Sequence, residues 1–209
     1  MKQNRDTKEA QKVGGRMKIL GITGGVGSGK SKVLRHLNEE YGAVICLLDD
    51  VARLLQQNGQ RCFSRIVEVF GDEVVGEDQE LDRQKLSEIV FSDAEKLKIL
   101  NDIVHPEVKR WVVEDIEQKK KEEVPLYVIE AALLPTAGYD EICDEMWYIY
   151  TNIDVRTERL KETRGYSEER IQNMIASQPD EGVFREACSA VIDNSGTFED
   201  TKRQIGEPL

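Results

Sequence analysis

The chain is poor in the side chains that build metal and redox sites. It has only two histidines among 209 residues. Its four cysteines, Cys46, Cys62, Cys143 and Cys188, stand at no metal-ligand or redox spacing. A histidine-based metal centre is therefore excluded unless other ligands supply most of it. Reduced, largely buried thiols in a cytoplasmic protein are the expectation. Basic charge is also short: 29 Lys and Arg against 40 Asp and Glu leave a net charge of −11. That balance argues against a general nucleic-acid binder. It also repels anionic ligands at long range, so a phosphate site has to be built locally from backbone N–H groups and a few cations. No apolar run approaches the ~20 residues that span a bilayer, and no membrane partner is expected. Residues 1–16 lack the apolar stretch of a signal peptide. They are polar and precede Met17, and they read as a flexible extension.

What the chain does hold is an alternation of short apolar runs with helical stretches. Lys18–Thr23, 43–48, 125–129, 146–150 and 190–192 are continuous apolar or β-rich runs. Such runs separated by helices predict a five-stranded parallel sheet covered on both faces, a doubly wound α/β core. The core is expected over 17–50, 124–153 and 187–209. Residues 51–123 read as a helical insertion without a clear strand, shaping an acceptor site. Residues 154–186 read as a charged helical lid. His105-Pro106 reads as a boundary between two helices, because proline disfavours a helical residue before it. Lys119–Glu123 reads as a solvated helix end. Trp111 and Trp147 lie on apolar patterns, as core or pocket wall.

Residues 24–31 read GGVGSGKS and satisfy G-x-x-x-x-G-K-[ST] between a strand and an amphipathic helix. This is the signature of a loop that holds nucleoside triphosphate. The glycines let successive N–H groups converge on phosphate oxygens, and the helix N-terminus adds field at the same point. The ATP-binding set is Gly25, Val26, Gly27, Ser28, Gly29, Lys30, Ser31 and Lys32. Lys30 reaches the β and γ phosphates, and the Ser31 hydroxyl is placed to ligate Mg²⁺. Whether Lys32 faces ATP or solvent is open.

Ligands of such sheets collect at the carboxyl ends of the strands. Asp49 follows the second run and would face the loop, either orienting an attacking hydroxyl or capping a helix. Glu130 ends the third run, where it would sit near Mg²⁺ through water or hold the loop. Arg156, Arg159 and Arg164 are carried by the lid segment. Arginines there either neutralise a transferring phosphoryl group or are plain surface residues. Arg164, just before Gly165, has the easiest reach. A guanine-reading N/T-K-x-D motif is missing from the expected downstream region, which argues against a GTPase-like switch. A small-molecule kinase is the reading; a non-catalytic nucleotide sensor is the weaker alternative, since Lys30, Ser31 and Asp49 are all present.

Several segments in order then resemble the dephospho-CoA kinase family: KILGITGGVGSGKS at 18–31, LLDDVAR at 47–53, LDRQKLSEIVF at 81–91, LNDIVHP at 100–106, PLYVIEAALL at 125–134, RLKETRGYSEERIQNMIASQ at 159–178 and VIDNSG at 191–196. The resemblance implies a P-loop fold and transfer of the ATP γ-phosphate to the ribose 3′-hydroxyl of dephospho-CoA, with ATP and Mg²⁺ as donor and cofactor. It implies Asp49 as base or hydroxyl orienter, with Lys30 and Arg164 on the phosphates. It places Asn194 near adenine, and Arg83 and His105 by the acceptor beside Glu130. Leu47, Lys32 and Ser189 depart from the family pattern. Another nucleoside or nucleotide kinase on the same core is the alternative. The oligomeric state is not readable; a monomer is the default expectation.

Overall fold

A computed structural model describes residues 16–209. The expectation for the N-terminal extension thus lies, Arg16 apart, outside the described residues. Five strands form one parallel sheet: β1 (Lys18–Thr23), β2 (Val44–Leu47), β3 (Leu126–Glu130), β4 (Glu145–Tyr150) and β5 (Ala190–Asp193), in the order β2-β3-β1-β4-β5. Every pairing is parallel; Ile22 of β1, for example, sits beside Glu130 of β3 and Trp147 of β4.

The strands are apolar throughout because both faces are covered. Leu126 and Val128 pack with Leu20, Ile22, Trp147 and Ile149 against α1 (Lys30–Tyr41) and α9 (Phe198–Gly206). Tyr127 and Ile129 point the other way, with Ile19, Cys46 and Met146. That second face carries the helices of the insertion: α2 (Leu48–Leu55), α3 (Phe63–Phe70), α4 (Arg83–Phe91) and α5 (Ala94–Lys121). The alternation of side chains along each strand splits one run of sequence between two cores. Beyond its helices the insertion holds only one isolated antiparallel bridge, Val75 to Leu81, among the described residues. Asp82 caps α4 by accepting from the N–H groups of Gln84 and Lys85.

The boundary predicted at His105-Pro106 is absent. α5 runs unbroken through Pro106 for 28 residues. An interior proline costs roughly 3 kcal/mol. The same helix buries Ile103, Val104, Val108, Val112 and Ile116, each worth roughly 1.5–3 kcal/mol. Burial wins, and Pro106 and Asp102, whose carbonyl loses its partner, are both exposed residues on the outer side of the helix.

The predicted lid is helical: α6 (Ile153–Arg164), α7 (Glu168–Ala176) and α8 (Glu181–Ala187). Trp147 is fully buried and Trp111 half-buried. At the end of α5, Lys119 pairs with Glu122, and Lys120 with Glu117, on the surface. All four cysteines are free thiols. No helix among the described residues is long and apolar enough to cross a membrane.

Candidate active site

The phosphate loop leaves the buried end of β1 and feeds α1. Its backbone needs glycine at two places for different reasons. Gly29 has φ +83°, and a Cβ there would collide with the Asn194 side-chain amide. A Cβ on Gly25 would lie 2.5 Å from Gln178 Oε1 and 2.8 Å from Arg156 Cζ. The segment 154–186, expected to be a lid, therefore touches the loop directly.

Contacts from three elements hold the loop. The Ser28 carbonyl accepts hydrogen bonds from Thr151 Oγ1 at 2.9 Å and Asn194 Nδ2 at 2.8 Å. Arg156 donates from Nε to the Val26 carbonyl at 2.9 Å and from Nη2 to Gln178 Oε1 at 2.7 Å. Arg159 donates from Nη2 to the Asn194 carbonyl at 2.9 Å. Burial lowers the Arg156 pKa from its ordinary value; two charge-assisted hydrogen bonds compensate the guanidinium.

Lys30 folds over the loop. Its Nζ donates to the Gly24 carbonyl at 2.6 Å and lies 3.5 Å from Glu130 Oε1. Burial pushes the Lys30 pKa down and the Glu130 pKa up, and their mutual attraction opposes both shifts. Glu130 is the last residue of β3, level with the loop at the strand ends.

Beside the loop lies a cavity of about 740 Å³. Loop residues Gly25 to Ser31 line it together with Asp49, Glu130, Ile45 and Leu47. Arg159, Leu160, Thr163, Arg164 and Gln178 close it from the lid. Four cations, Lys30, Arg35, Arg159 and Arg164, line it against two carboxylates, Asp49 and Glu130. The acidic chain thus concentrates positive charge at one place, as a phosphate site in such a protein requires.

Asp49 and Asp50 both occupy the first turn of α2, whose N-cap is Leu47 without a side-chain cap. The capping alternative is therefore set aside, and Asp49 faces the cavity. Asp50 instead pairs with Arg53 at 3.2 Å. Arg164 sits in the last turn of α6, released by Gly165 at φ +62°.

Other expected residues fall elsewhere. Lys32 is exposed, with Nζ 4.2 Å from the centre of the Phe198 ring; its N–H donates to the Gly29 carbonyl. Its ammonium is turned to Phe198 of α9, and it is not among the residues that line the cavity. Asn194 is buried beneath the loop, its Oδ1 accepting from Thr201 Oγ1 at 3.0 Å. Its amide supports Ser28 and does not line the cavity. Arg83 and His105 are exposed on α4 and α5 and are not among the lining residues. Arg83 directly follows the capping Asp82, and His105 follows the buried pair Ile103-Val104, so each is turned outward by helical phase. Sequence reasoning missed Thr151 and Gln178. Thr151 directly follows β4, so the rule that picked out Asp49 and Glu130 at strand ends would have found it. Gln178 carries no such local signal.

The model of the dephospho-CoA kinase family matches residues 18–200. A dephospho-CoA kinase of Dehalococcoides mccartyi is 38% identical over 89% of this chain and 93% of its own. The crystal structure of TT1252 from Thermus thermophilus superposes with a TM-score of 0.78 at 31% identity, covering 93% of this chain and 97% of that one. The dephospho-CoA kinase from Campylobacter jejuni shares the fold, with a TM-score of 0.67 at 22% identity over 91% and 94% of the two chains. A five-stranded parallel P-loop core and a match over almost the whole described chain agree: the protein belongs to the dephospho-CoA kinase family.

Proposed function

We propose that the protein transfers the γ-phosphate of ATP to the ribose 3′-hydroxyl of dephospho-CoA, giving CoA and ADP. The observation that carries this reading is that Asp49 and the Lys30 loop line one cation-rich cavity. The family supplies the acceptor.

In this reading the triphosphate lies along the loop N–H groups, and Lys30 leaves the Gly24 carbonyl for the β and γ oxygens. Asp49 accepts a hydrogen bond from the acceptor hydroxyl and orients its oxygen. That oxygen bonds to the γ phosphorus as the bond from phosphorus to the β–γ bridging oxygen breaks. The electron pair leaves with ADP, and the hydroxyl proton passes to Asp49. The transition state of such transfers is loose, so positioning and charge outweigh base strength. Arg159 and Arg164 neutralise the equatorial oxygens. Lid closure excludes water that would otherwise accept the phosphoryl group.

Mg²⁺ suits the donors present. The Ser31 hydroxyl opens on the cavity, and Asp49 and Glu130 stand within it. No group of three or more His, Cys, Asp or Glu forms a cage among the described residues. A magnesium ion that keeps its waters and uses substrate phosphates needs none. Ser31 would hold it directly, and Asp49 or Glu130 through water. When bound, it offsets charge on the β and γ phosphates. We place the enzyme in the cytoplasm as a monomer; four unpaired thiols support the first. Arg83 and His105 have no part in this reading.

The test is Asp49→Ala assayed with ATP and dephospho-CoA. A large fall in kcat with ATP binding kept supports the reading. An unchanged kcat removes Asp49 from the mechanism.

A further inference from the structure

A second cavity of about 340 Å³ adjoins the first. It is lined by Ile45, Cys46, Leu47, Asp50, Val51, Leu54, Trp111 and Asp115, and it shares Ile45 and Leu47 with the phosphate cavity. Three consecutive residues of β2 line it. Successive strand side chains point to opposite faces, so a cavity touching all three lies on the strand's edge. β2 is the outer strand of the sheet and pairs only with β3. In a parallel pair, alternate residues turn their N–H and C=O groups away from the partner. Among the described residues, no side chain hydrogen-bonds to the backbone of 44–47.

The groove thus offers a free strand edge floored by apolar groups. Leu54 is 38% exposed, and Trp111 lines the groove from α5. Burial pushes the Cys46 thiol up to about 11, so it stays neutral. Asp115 is already engaged, accepting from the Tyr127 hydroxyl at 2.5 Å. The charged groups that line this groove, Asp50 and Asp115, are acidic, with Asp50 paired to Arg53 at 3.2 Å. A phosphate is repelled there, whereas an uncharged chain is not.

We propose that this groove binds the uncharged pantetheine arm of the acceptor, its amides pairing with the free edge of β2 and its methylenes and dimethyl group packing on Leu54 and Trp111. The inference rests on the dephospho-CoA kinase reading. It adds a subsite that lies outside the phosphate cavity. Strand-edge pairing suits an arm with secondary amides, since main-chain hydrogen bonds supply affinity and flanking pockets supply specificity.

The probe is 4′-phosphopantetheine as an inhibitor, with Trp111→Ala and Leu54→Gln as variants. In the wild type it competes with dephospho-CoA and leaves the KM for ATP unchanged. Trp111→Ala raises the KM for dephospho-CoA roughly tenfold, abolishes the inhibition and keeps the KM for ATP. Leu54→Gln, on an exposed position, does the same more weakly and carries the test if the tryptophan variant fails to fold. No inhibition of the wild type, or an unchanged KM for dephospho-CoA in every variant that folds, overturns the groove assignment while leaving the kinase reading intact. A wild type that does not turn over dephospho-CoA at all overturns both.

Discussion

Replacing Asn194 with alanine separates two roles that the same residue could play. The side chain is 3% exposed and makes two side-chain hydrogen bonds, donating to the Ser28 carbonyl and accepting from Thr201. Each is worth ~1 kcal/mol net, and the void left by the amide adds a similar amount. A loss of ~2–4 kcal/mol follows, which lowers the Tm of a domain this size by ~4–16 °C. Thr151 still donates to Ser28, so the loop loosens but persists. Differential scanning calorimetry and ATP titration read both effects. The structure predicts a lower Tm and weaker ATP binding, with the preference for ATP over GTP kept. A Tm unchanged within error together with lost discrimination against GTP would refute the argument. It would make Asn194 the adenine reader that the family pattern suggests.

Asp49→Ala is expected to lower kcat by roughly 10²–10⁴, with the ATP Kd from calorimetry little changed. Glu130→Gln removes the neighbour that holds the Lys30 pKa up. Lys30 already sits below its ordinary value, so it drops further, and the alkaline limb of the kcat/KM profile moves to lower pH; a shift the other way contradicts the pairing. Gly25→Ala brings a methyl group against the ends of the Arg156 and Gln178 side chains, which must shift and strain the hydrogen bond between them, so steady-state assays should show a raised KM for ATP. Lys32→Ala leaves the KM for ATP unchanged, because the ammonium lies over Phe198.

The sheet was legible because both its faces are buried. Continuous apolar runs such as PLYVI satisfy that demand as strands covered on both faces. The loop was legible because glycine, lysine and serine at fixed spacing have one dominant physical use. Asp49 and Glu130 followed from strand ends, a rule of local sequence. What was not legible has a common origin in tertiary context. Pro106 reads as a break only until the burial of five neighbours on α5 is counted. Asn194 sits on a turn beside the site, and only the fold shows that its amide faces down toward Ser28. The bond from Arg156 to Val26 joins residues 130 apart in sequence, and no local pattern announces it.

The central claim is that loop, Asp49 and lid act on one acceptor. The most direct measurement incubates purified protein with ATP, Mg²⁺ and dephospho-CoA, or with AMP, dTMP or uridine in its place, and locates the new phosphate by ³¹P NMR and mass spectrometry. The account predicts ADP and CoA, phosphorylated at the ribose 3′ position, with little turnover of the other acceptors. Strong turnover of a nucleotide or nucleoside and none of dephospho-CoA would contradict it.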